Sequence, residues 1–90
     1  MNDFVAEFLG SLFFIYIILA TGSAYAIGAA LALVILLTSS ISGGHMNPAV
    51  TLTMTAAGKL PMSKTLYYIA AQVLGGLAAL AIYKMVNLKK

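Results

Sequence analysis

A chain of 90 residues that is 62% hydrophobic and only 8% charged lies far from the soluble balance, in which about 25% of residues are charged. With a mean hydropathy of +1.03 it has too little polar surface to cover its apolar bulk in water, so an integral, multi-pass membrane protein in a lipid bilayer is expected. The net charge of +3 includes no basic run of the kind that binds nucleic acid, and the lack of cysteine excludes disulfides and thiol chemistry.

The first apolar run, Phe4 to Ala20, is interrupted by Glu7, Gly10 and Ser11. Its start, MNDFVAEF, has no positive n-region, so the segment is expected to stay in the protein rather than act as a cleaved leader. Asn2 or Asp3 can cap it by accepting from free amides of the first turn. A helix over about 3–21 rises roughly 28 Å, close to one hydrocarbon core. Thr21-Gly22-Ser23 breaks the pattern, and so short a connection turns the second helix back beside the first.

The second run, Ala24 to Leu37, continues into Thr38-Ser39-Ser40, predicting a span over about 24–40. Ala24, Gly28 and Ala32 recur every four residues, a spacing that lets helix backbones approach closely. The third run, Leu66 to Tyr83, predicts a span over about 63–86 with Ser63 as N-cap, and repeats the spacing at Ala71, Gly75 and Ala79. Its one polar interruption is Gln72, and Tyr67, Tyr68 and Tyr83 sit where interfacial aromatics belong.

Between these spans lies SISGGHMNPAV. Asn47-Pro48 reads as an N-cap plus a proline in the first helical turn. Pro48 to Ala57 can then be helical, with Gly58 as the stop. Ten residues rise about 15 Å, half a bilayer. A half-length helix behind a Gly-Gly loop predicts a re-entrant segment over about 41–58, and such backbone is tolerated at membrane depth only when packed in protein or lining a wet cavity. The expected fold is therefore an all-α membrane protein of three transmembrane helices plus one re-entrant half-helix.

SGGHMNPAVTLTM, preceded by AEFLGS and followed by YYIAAQVLGG, resembles the first half of an aquaporin, of the major intrinsic protein family. The resemblance covers the whole chain as a single half-repeat, 1–90, an aquaporin-like hemipore. It implies a passive channel for water, and for small neutral solutes such as glycerol, in which two inverted half-repeats bring their Asn-Pro-Ala turns together at mid-membrane. This sequence matches one of those repeats and contains no arginine, so the family's filter arginine has no counterpart. The resemblance thus calls for a second copy of the chain, or a complementary half-channel chain, to close the pore. The competing expectation is a non-conducting, truncated aquaporin-like protein or accessory subunit.

Asn47 is in the bland reading a helix cap. In the resemblance it also offers its amide to water, with Pro48 and Ala49 completing the turn and the carbonyls of Gly43, Gly44 and His45 lining the pore. The His45 side chain is expected to brace the loop, since no second metal ligand is in view. Glu7 reads either as a snorkelling carboxylate or as a buried acceptor supporting the loop, as the matching glutamate does in the family. Gln72 reads as polar glue between helices, bonded to Glu7 or the loop. Aligned on the motif, Ile27 takes a selectivity-filter place, and Phe14 and Leu31 take pore-facing apolar places, each also compatible with plain packing. An isoleucine at 27 implies a wider, greasier constriction. One histidine, two acids and no thiol give no catalytic constellation, so no enzyme and no cofactor or metal is expected.

The topology that the resemblance implies places the N-terminus, Lys59 and Lys64 on one side, with Lys84, Lys89 and Lys90 on the other. This near balance gives no strong orientation and suits an antiparallel homodimer.

Overall fold

The Asn2 side chain accepts from the Val5 amide at 2.8 Å and starts α1 (Asp3–Thr21). Gly22, at φ +59, ends it in a left-handed turn. Ser23 caps α2 (Ala24–Thr38) by accepting from Ala26. Asn47 caps α3 (Pro48–Ala56), and α4 runs over Met62–Leu88. This computed structural model describes residues 1–88. Among them there is no strand, and α1 and α4 are long and apolar enough to cross a membrane.

Several boundaries differ from the sequence reading. α2 stops at Thr38 rather than Ser40 because the Ile41 and Ser42 amides both fold back onto the Thr38 carbonyl. With 15 residues it rises about 22 Å. α3 ends at Ala56, and Gly58 turns the chain at φ +77. α4 begins at Met62, so Ser63 lies inside the first turn and is not the cap; Pro61, lacking an amide hydrogen, precedes the helix. Lys89 and Lys90 lie outside the described residues.

α1 and α4 run parallel and in register. Lys64 pairs with Asp3 at 2.6 Å, Phe4 meets Tyr67 with ring centroids 4.9 Å apart, and Tyr16 meets Tyr83 at 6.4 Å. The small stripe Ala71, Gly75 and Ala79 is buried along this contact. A Cβ on Gly75 would stand 2.5 Å from the Phe8 carbonyl oxygen, so glycine here sets the helix separation. The corresponding stripe on α2 behaves differently. α2 turns Ala30, Val34 and Thr38 inward, and Gly28 has nothing within 4 Å. The Ala24-Gly28-Ala32 face therefore does not mediate α1–α2 packing.

Candidate functional site

Loop 39–47 packs against α1 and α4 in a conformation that needs left-handed backbone at Gly43 (φ +90), Gly44 (φ +64) and Met46 (φ +56). At Gly44 a Cβ would sit 3.2 Å from the Ile35 Cα. Backbone yields less readily than a side chain, so the left-handed φ and this close approach together favour glycine there.

Glu7 is the centre of the site and is fully buried. Its Oε2 accepts from the Ser42 hydroxyl at 2.5 Å and the His45 amide at 3.0 Å. Its Oε1 accepts from the Met46 amide at 2.9 Å and Gln72 Nε2 at 2.8 Å. Four donors on two oxygens satisfy a group whose burial would otherwise cost several kcal/mol. The same contacts pin two consecutive loop amides to the second turn of α1.

A second layer ties the loop to α3 and α4. Gln72 Nε2 also donates to Thr51 Oγ1 at 2.8 Å, and Thr51 Oγ1 lies 2.9 Å from His45 Nδ1. With both Gln72 amide hydrogens used, Thr51 accepts one and has its own proton to give to His45. The Tyr68 hydroxyl donates to the Ser42 carbonyl at 2.8 Å, and its ring tilts against His45 with centroids 5.1 Å apart. Tyr68 is thus a buried loop brace, correcting its sequence-based assignment to the membrane interface. A greasy helix end and a buried hydroxyl anchor look alike in sequence; only the loop position distinguishes them.

Asn47, Pro48 and Ala49 are exposed at the start of α3. Asn47 Oδ1 accepts from the Ala49 amide at 2.8 Å, while its Nδ2 has no partner among the described residues. Neither do the carbonyls of Gly43, Gly44 and His45, whereas that of Ser42 is taken by Tyr68. Gln72 Oε1 is buried and unpaired. Beside the tip of α3 an open apolar cavity of about 390 Å³ is lined by Met46, Pro48 and Gln72 together with α1 and α4 side chains beyond the tip. Phe14, Ile27 and Leu31 are half-buried on α1 and α2 and do not line this cavity.

Sequence reasoning did not single out Ser42, Met46, Thr51 or Tyr68 for this cluster. Thr51 carried a usable signal: it lies four residues after Asn47, where a helical side chain returns to the face its cap starts from. Met46 carried none, because a methionine in an apolar chain is unremarkable by type.

The major intrinsic protein profile matches residues 1–90. The chain belongs to the major intrinsic protein family. It is 35% identical over 99 residues to a probable aquaporin PIP2-6 of Oryza sativa subsp. japonica, covering 89% of this chain and 35% of that protein. It is 34% identical to an aquaporin PIP2-7 of Musa acuminata and to aquaporin PIP1-1 of Arabidopsis thaliana, again over 89% of this chain and 35% and 34% of theirs. The chain therefore spans about a third of the length of these curated relatives. As a major intrinsic protein it is an integral membrane protein, which agrees with the two membrane-length helices α1 and α4.

Proposed function

We propose that residues 1–90 form one half-repeat of a passive channel for water, and for small neutral solutes such as glycerol. In this reading α2 is the second of three spans, between α1 and α4, and loop 39–47 with α3 is a re-entrant segment. The observation that carries it is the row of unpaired carbonyls at Gly43, Gly44 and His45, ending at the unpaired Asn47 Nδ2. Acceptors in file on a scaffold held by Glu7 can replace water's lost hydrogen bonds without trapping it. The Asn47 amide then donates to the same file at the positive end of the α3 dipole, which disfavours cations.

Ile27, Phe14 and Leu31 supply the apolar side of the passage, and the greasy Ile27 leaves room for glycerol. The other wall comes from an inverted half-repeat, as an antiparallel homodimer with its two-fold axis in the membrane plane or as a complementary half-channel chain.

The test is osmotic shrinkage of proteoliposomes followed by stopped-flow scattering. The chain should raise the shrinkage rate above that of empty liposomes, and Asn47→Asp should lower it several-fold by replacing the donor with an acceptor. Flux equal to that of empty liposomes overturns the channel reading and leaves a non-conducting membrane component.

A further inference from the structure

Met46 is a buried, non-glycine residue with φ +56, a conformation rare for L-residues. Its side chain crosses to α1 and fills the space left by Gly10. A Cβ on Gly10 would stand 2.6 Å from Met46 Cε and closer still to Sδ, and the Ser11 hydroxyl points at the same sulfur at 3.8 Å. The Met46 amide, meanwhile, bonds Glu7 Oε1. Glu7, Gly10 and Ser11 lie three and four residues apart, so one face of α1 grips Met46 by backbone and side chain together. Asn47 and Pro48 follow directly, and Met46 and Pro48 line the same cavity at the tip of α3.

The geometry points to Met46 as a positioning residue: its thioether, seated in the Gly10 notch, sets the depth and orientation at which Asn47 is presented. This rests on the channel reading for its consequence but not for its geometry. Glu7 holds the loop at one height through the amides. The notch adds a side-chain contact with α1 beside the two amide bonds to Glu7. A polarizable, unbranched side chain suits a narrow slot between helix backbone and loop.

The pair can be tested by compensation. Gly10→Ala should expel the Met46 side chain, and Met46→Ala should empty the notch while keeping a Cβ, so the backbone preference at 46 is unchanged. In the double variant the new methyl on Gly10 takes up space that the shortened residue 46 vacates. The chain has three asparagines and one glutamine, so a nitrogen–proton NMR spectrum in micelles holds four side-chain amide pairs. The Asn47 pair should shift in each single variant while Asn2 and Asn87 stay fixed, and should return toward wild type in the double. The ratio of water to glycerol permeability should move several-fold in the singles and recover with it.

An unmoved Asn47 signal in the singles, or displacements that simply add in the double, would overturn the proposal. Loss of folded protein alone, with Asn47 and the permeability ratio unchanged per folded molecule, would also overturn it, because that is what mere packing predicts. If the NMR pattern holds and wild type conducts nothing, the positioning role stands and the channel reading falls.

Discussion

Glu7 Oε2 lies 3.0 Å from the His45 amide nitrogen, joining the second turn of α1 to a loop residue 38 positions later in the chain. Every contact to this carboxylate brings a donor. Glu7→Gln keeps the size but turns one acceptor oxygen into an NH2 that faces donors. At about 1–3 kcal/mol for each buried group left unpaired, the variant should lose about 2–4 kcal/mol. Reversible unfolding in mixed micelles measures this directly; a loss below about 1 kcal/mol would show that the loop holds without the carboxylate.

Two glycines in apolar helices should respond in opposite ways to the same methyl. Gly75→Ala drives a Cβ into the Phe8 carbonyl and the Leu12 amide, both backbone, and should cost about 1–3 kcal/mol by forcing α1 and α4 apart. Gly28→Ala meets nothing within 4 Å and should be neutral or gain up to about 1 kcal/mol from helix propensity. Equal losses in thermal unfolding of the two variants would contradict the packing described here.

Tyr68→Phe removes one hydroxyl and frees the Ser42 carbonyl. The expected loss is about 1 kcal/mol, the usual net worth of such a bond, with faster amide hydrogen exchange confined to loop 39–47. Exchange that rises evenly through α4 instead would mean Tyr68 serves the helix and not the loop.

This residue also marks where sequence ceases to inform. The helices, the α3 cap at Asn47 and the Ala71-Gly75-Ala79 stripe were legible because length, capping chemistry and small-residue spacing are local properties. The face of α2 that meets α1 was not, since that run is apolar all round and has no polar side to orient it. The Glu7 and Gln72 positions stood out as polar interruptions in greasy runs, and Asn47 as a cap before Pro48. Their partners did not, because Tyr68, Thr51 and Met46 become distinctive only once the loop folds onto them.

Lys64 and Asp3 approach to 2.6 Å, yet the lysine side chain remains 48% exposed. Water and salt weaken such a pair, so Lys64→Ala should cost less than about 1 kcal/mol, far below Glu7→Gln. The same unfolding assay compares them. A larger effect would mean that the pair is screened less than its exposure implies.

The Asp3–Lys64 pair also fixes a topological fact: the starts of α1 and α4 lie on the same side, so Lys84, late in α4, lies toward the other. Lys59 and Lys64 near the first side stand against Lys84 among the described residues, leaving the positive-inside rule with little to choose between. If the second half-repeat is an inverted copy of this chain, both orientations must be populated in one membrane. The chain has no cysteine, so Ser63→Cys, exposed at the start of α4, supplies a single reporter. A membrane-impermeant thiol reagent added to sealed vesicles should label about half of it, and the rest only after permeabilisation, as balanced charge predicts. Substituting Lys59 and Lys64 by glutamine should then shift the labelled fraction by making one orientation dominant. Complete labelling or complete protection of the reporter in the parent sequence would rule out the antiparallel homodimer, and the complementary wall would have to come from a different half-repeat.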